Sequence, residues 1–315
     1  MALFNTGAMI HELRKAKGLT QAQLAEGICA RQTVTAIEKG ERKPDWFTFK
    51  LIMRKLDVNP DNYFNDIASA DDIFVRQQLQ KCDKLLLSFD WDALKIEHDK
   101  MEKDKRFAKG EGHRIFLGLK ANFFNQGKYQ NPQLAIDASI ERLKMSRTDF
   151  DLQLVSTYIL TFEEQMALNS LATAYYNLGE HGKCIDIRKN IAISFEQNNE
   201  KSLNDAELSF HYFIVVTGLC LNLKDSQRYE ECIIWADKAI KLYSGSHNTV
   251  FFMRITRYKA FSLLKLGQRE EGEKLYIKAL LYANIFDEYI EHNFELAKTE
   301  FEENFGYKLD LSVSW

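Results

Sequence analysis

A catalytic or metal centre in this chain would have to draw on seven histidines (His11, His98, His113, His181, His211, His247, His292) and five cysteines (Cys29, Cys82, Cys184, Cys220, Cys232). Their spacing supports neither. The histidines are scattered, and the chain has no HExxH, GxSxG, Walker loop or GxGxxG. The cysteine count is odd and no CxxC occurs, which points to reduced thiols rather than a disulfide framework. Cys184 and Cys232 fall at small-residue positions of predicted hairpins, so packing accounts for them, and His211 in HYF on a predicted helix reads as a packed or groove residue rather than a catalyst. No catalysis, cofactor or metal is expected. The remaining chemistry is that of hydrogen-bond donors and acceptors. One set lies in LTQAQLAEGICARQTVTAIEKG (19–40), the other on helices far downstream.

The elements that must carry these groups are helical. The chain has 315 residues and only three prolines (Pro44, Pro60, Pro132), and strand-like alternation is scarce. A hydrophobic content of 45% and a charged content of 28% suit a globular protein large enough for two or more domains. No apolar run reaches the roughly 18 residues of a membrane span, and the charged start does not read as a secretory signal. A cytoplasmic location is expected. Residues 1–64 hold ten Lys/Arg against seven Asp/Glu, a net +3; the remainder holds 32 against 38, a net −6. The mildly basic end therefore suits phosphate contact.

Four helices are predicted in that end. Asn5 or Thr6 caps the first, with Met9, Ile10, Leu13 and Ala16 on its apolar face and Gly18 as its left-handed end. Thr20 caps the second, and Gln23 completes a capping box. Gly27 supplies the turn. The third starts near Ala30–Arg31, buries Val34 and Ile37, and ends at Gly40. Pro44–Asp45 opens the fourth, with Phe49, Ile52, Met53 and Leu56 inward.

This run resembles the helix-turn-helix domain of the Xre/Cro-type repressors over about residues 6–64, on LRKAKGLTQAQLA, the turn and TAIEKGERKP. The resemblance implies that the third helix enters the major groove of double-stranded DNA. It puts Arg31 and Gln32 at base-reading positions, suited to guanine and adenine edges respectively. Thr33 and Thr35 would meet phosphate or a thymine methyl. Thr20 and Gln21 would meet a phosphate, and Lys39, Arg42 and Lys43 would hold the flanking backbone. Arg14 and Glu38 match a pair that braces the reading helix. Ala36 stands where many relatives carry Arg or Gln. The turn in EGICARQ is one residue shorter than usual, as in the PlcR-like branch.

The downstream part repeats. EEQMALNSLATAYYNLGEHGKCIDIRKNIA places Leu171, Ala172, Tyr175, Gly179, Cys184 and Ile191 in the tetratricopeptide pattern, whose small residues let paired helices approach. Similar units fall at 72–104, 113–145, 207–243 and 252–284. Their spacing of about 40–48 residues exceeds the roughly 34 of regular arrays. The expected organisation is a DNA-binding domain over 1–66, a linker over 67–72, five degenerate hairpins over 73–286, and a capping helix (Asp287–Asn304) with tail over 287–315. The fold class is all-α: a helix-turn-helix domain followed by a right-handed superhelical solenoid.

The combination resembles the RRNPP peptide-pheromone receptors, PlcR-like or Rgg-like. The resemblance implies a homodimer assembled through the repeats, bound to a near-palindromic operator and controlled by a short linear signalling peptide in the repeat groove. By repeat position, the inward-facing residues of the first helix in each hairpin are Asn122, Asn125, Asn169, Thr173, Tyr176, Tyr212, Asn222, Arg254 and Arg257. Asparagine offers a donor and an acceptor to a peptide backbone, and the arginines suit a peptide carboxylate. Two other readings stay open. One is a scaffold acting on another regulatory protein; the other is a DNA-binding repressor with no peptide ligand.

Overall fold

The computed structural model describes residues 6–63, 69–198, 206–242, 249–285 and 288–309. Among these residues the chain forms fifteen α-helices and short 3-10 turns, with no strand. It divides into two compact units. One comprises Met1–Gln130 with Lys144–Thr148, the other Asn131–Leu143 with 149–315.

The first unit opens with α1 (Thr6–Ala16), α2 (Gln21–Ala25), α3 (Arg31–Glu38) and α4 (Trp46–Lys55). Thr6 begins α1, and the alternative cap Asn5 lies outside the described residues. Thr20 and Gln23 form the expected capping box on α2, and the Asp45 side chain caps α4. Gly27 takes φ +74, a left-handed turn that a Cβ would strain. Ile10, Leu24, Val34, Ile37, Phe49, Ile52, Met53 and Leu56 close one core. Full burial of each large side chain contributes about 1.5–3 kcal/mol, before entropy is charged against it.

Three further helices complete this unit: α5 (Ala70–Leu87), α6 (Trp91–Lys103) and α7 (Gly110–Asn125). Ser69 and Asp72 form a capping box at the start of α5, so helix takes 70–72 of the predicted 67–72 linker, of which 67 and 68 lie outside the described residues. Phe107, Phe116, Leu119 and Phe123 pack with Val75, Cys82, Leu94 and Met101 in a second core. Lys50 on α4 lies 3.7 Å from Glu111 on α7, and Arg114 sets its guanidinium over the Phe47 ring.

The helix that follows, α8 (Pro132–Ser146), spans the division between the units, so the second sequence repeat is split there. The second unit continues with three helical hairpins, each packed on the next. They are α9 (Phe162–Asn177) with α10 (His181–Asn198), α11 (Ala206–Asp225) with α12 (Tyr229–Leu242), and α13 (Thr249–Lys265) with α14 (Arg269–Ile285). The small residues of the repeat pattern do what their size permits: Ala172, Cys184, Cys232, Ala236, Ala239 and Ala260 are fully buried between helices. The final helix, α15 (Glu288–Phe305), covers the last hairpin through Ala297 and Phe301, and the Tyr276 hydroxyl donates to Ala297 O at 2.9 Å.

Candidate functional site

In the N-terminal unit, α3 is held from behind by a carboxylate. Arg14 Nε and Nη2 donate to the two oxygens of Glu38 at 2.6 and 2.8 Å, and Arg14 Nη1 donates to Leu19 O at 2.8 Å. Gln21 Nε2 donates to Glu38 at 2.9 Å, and His11 Nδ1 lies 3.0 Å from it. Burial alone would raise the Glu38 carboxyl, but the hydrogen bonds from Arg14, Gln21 and His11 outweigh it and hold the group at about 2. The brace thus joins the end of α3 to α1 and to the start of α2.

This network changes the standing of two predicted DNA contacts. Gln21 also accepts at Oε1 from the Thr35 hydroxyl at 2.9 Å, so both side chains are engaged within the domain. The Thr20 hydroxyl accepts from Gln23 N at 3.1 Å as the α2 cap. Arg31, Gln32, Lys39, Arg42 and Lys43 are exposed, and Thr33 is half-buried. Arg31 and Gln32 occupy the first turn of α3, behind an Ala30 cap that offers no side-chain bond.

In the second unit the predicted inward residues part company. Tyr212 is 1% exposed and donates its hydroxyl to Glu196 at 2.8 Å, and burial pushes its phenol pKa well up. Asn222 is equally buried, its Oδ1 accepting from Cys184 Sγ at 2.9 Å. In the first unit Asn125 is buried too, while Asn122 is exposed. Tyr212, Asn222 and Asn125 are therefore corrected from groove residues to interior ones. A helix this well covered on several sides turns even its predicted inner face into core. Asn169, Thr173, Tyr176, Arg254 and Arg257 stay half-buried. Tyr176 donates to Asp225 at 2.7 Å, and burial with that bond raises its phenol to about 12. Arg257 lies 3.6 Å from Glu300.

Asn169, Thr173 and Asn222 converge on a residue absent from the predicted set. Arg188 of α10 reaches between α9 and α11. Its Nε donates to Asn169 Oδ1 at 3.1 Å, and its Nη2 to Thr173 Oγ1 at 2.8 Å. Its Nη1 donates to Asn222 Oδ1 and to Gly218 O, the latter at 3.4 Å. The side chain is buried, and a Cβ on Gly218 would stand 2.7 Å from its Cζ. Only the small-residue position at 218 hinted at it, because Arg188 in IDIRKN reads as a solvated helix face.

Residues 10–62 match the helix-turn-helix family HTH_3. These residues, which span α1 to α4 of the first unit, form a helix-turn-helix domain. No curated protein sequence matches the chain. Among solved structures it is similar to PlcR of Bacillus thuringiensis in complex with the peptide PapR7 and DNA, at 20% identity and a TM-score of 0.55, over 93% of this chain and 98% of that one. It is also similar to the apo form of the competence regulator ComR from Streptococcus vestibularis, at 15% identity and a TM-score of 0.50, over 96% and 98%. The likeness to PlcR-like regulators expected from the sequence thus extends to the fold of nearly the whole chain.

Beyond the helix-turn-helix domain, His98, Asp99 and Glu102 bring metal-capable atoms together. Lys95 and Lys120 pair with Asp99 and Glu102, respectively, which leaves those carboxylates neutralised. Among the described residues, no helix is long and apolar enough to cross a membrane.

Proposed function

We propose that the chain is a transcription regulator of the RRNPP type, a DNA-binding protein rather than an enzyme. It acts in the cytoplasm as a homodimer on a near-palindromic operator and is controlled by a short linear peptide bound to the second unit. The observation that carries the reading is the braced α3. Its N-terminal Arg31 and Gln32 stay exposed while Arg14, Gln21 and Glu38 are spent on holding the helix. A helix fixed from behind with its first turn free is what direct base readout needs. Lys39, Arg42 and Lys43 add phosphate-binding charge beside it. For the peptide, support comes from the half-buried polar residues of α9 and α13, namely Asn169, Thr173, Tyr176, Arg254 and Arg257. PlcR, which has this fold, was solved with both a peptide and DNA.

The test is a mobility-shift titration of the full chain on its own upstream DNA. The expected result is binding that weakens steeply as salt rises, because lysines and arginines release counterions from phosphate. Salt-insensitive or absent binding, with and without candidate peptides, would move the chain to the scaffold reading.

A further inference from the structure

Arg188 is a buried cation with no counter-ion among the described residues. Among the described residues its partners are all neutral: two asparagine side chains, a threonine hydroxyl, a backbone carbonyl, and the Cys184 sulfur at 3.4 Å. Burial lowers its pKa from the ordinary arginine value, yet that value is so high that the group stays charged. Elsewhere in the fold the buried arginines have carboxylates. Arg14 takes Glu38, and Arg114 takes Glu111 through two contacts of 2.6 Å. A charge taken out of water without an opposite charge is costly. The chain keeps it nonetheless, and Gly218 leaves room for it.

The guanidinium is also asymmetrically held. Nη1 faces the fully buried Asn222 side chain and the carbonyl of half-buried Gly218. Nε and Nη2, the edge that takes a carboxylate side-on, face Asn169 and Thr173, which are half-buried on α9. These two residues belong to the face proposed above for the peptide. Arg257, by contrast, already faces Glu300.

We propose that Arg188 is the receptor for a carboxylate of the peptide ligand, accepted by Nε and Nη2 in place of Asn169 and Thr173. This rests on the peptide-responsive reading and sharpens it. The ligand brings the missing negative charge, either from its C-terminus or from an Asp or Glu side chain. Binding then converts a cation with neutral partners into a charge-assisted bidentate pair, so the occupied state gains where the empty state is poorest.

The experiment is affinity selection of synthetic heptapeptide libraries on the full chain, with retained peptides sequenced by mass spectrometry. One library ends in a free acid and lacks Asp and Glu, one is the same but amidated, and one is amidated but contains Asp and Glu. Expected are hits from the first or third library, the choice naming the source of the carboxylate, and none of comparable affinity from the second. Resynthesised hits should lose about tenfold or more in affinity on Arg188→Met and on Arg188→Lys, because a charged hydrogen-bonded pair is removed or loses its fork. Equal binding by carboxylate-free peptides, or by hits to both variants, overturns the role of Arg188 while the peptide reading stands. No retained peptide from any library overturns both. The comparison of acid with amide uses the unaltered chain, so the test survives a variant that does not fold.

Discussion

At the scale of single residues, Arg31 and Glu38 stand at opposite ends of α3 and do opposite work. Arg31 is exposed at the start of α3, so Arg31→Ala should leave the fold intact and cost about 1–3 kcal/mol of binding at one operator base pair, relaxing choice there. Titrating operator variants that differ at each position checks this; uniform affinity across all of them would remove Arg31 as a reader. Glu38 is the counter-charge of a buried arginine, so Glu38→Ala should destabilise the domain by roughly 3–5 kcal/mol, read by denaturant unfolding. The pH dependence follows from the same site. The folded carboxyl is held at about 2 against an ordinary 4.5, so its stabilising contribution is complete above about 4.5 and is lost as pH falls toward 2. Melting temperature should therefore drop over that window more steeply in the unaltered chain than in Glu38→Gln. Parallel curves would mean the brace is not what acid breaks.

Helices rather than residues decide how Arg188 is housed. Two neighbouring helices, α9 and α11, must lie close enough for one side chain from α10 to touch both, and Gly218 is what permits it. In an ordinary helix interior, Gly→Ala gains about 0.8–1 kcal/mol of helix propensity. Here the added methyl meets the guanidinium, and overpacking of this kind costs about 1–3 kcal/mol. Gly218→Ala should therefore lower the melting temperature, and combining it with Arg188→Ala should restore part of the loss. A stabilised single variant would show that Arg188 gives way without strain.

Across the whole molecule, few base contacts are available to each reading helix, with Ala36 in a position where many relatives place a longer polar residue. In the proposed dimer, specificity would then come largely from the distance between its two α3 helices. Inserting about 5 bp at the centre of the operator should rotate one half-site to the far side of the duplex and abolish cooperative binding, whereas about 10 bp should restore part of it. Footprinting of the three operators distinguishes this from independent monomers, for which all three would be occupied alike. A peptide that changes the population of dimer arrangements would act on that same spacing.

Much of this protein was determined by local sequence. Thr20 with Gln23, Asp45, Gly18 and Gly27 set helix ends through bonds spanning a few residues, and the small residues at 172, 184, 236 and 260 marked where helices pair. Such signals are short-range, so the helices of the helix-turn-helix domain and the paired helices beyond it were legible, whereas the Arg14–Glu38 brace, which joins residues 24 apart, was implied only by the family resemblance. Which polar residues remain open to a ligand was not legible. Tyr212 and Asn222 lie on the helix face that periodicity assigns to the groove, yet the hairpins on either side bury them. Arg188 lies on a helix the pattern assigns to the outside, yet it passes inward beside Gly218 to meet Asn169 and Thr173. Periodicity specifies a direction around one helix axis. Burial and partnership depend on the distances between three helices, and only the tertiary packing decides those.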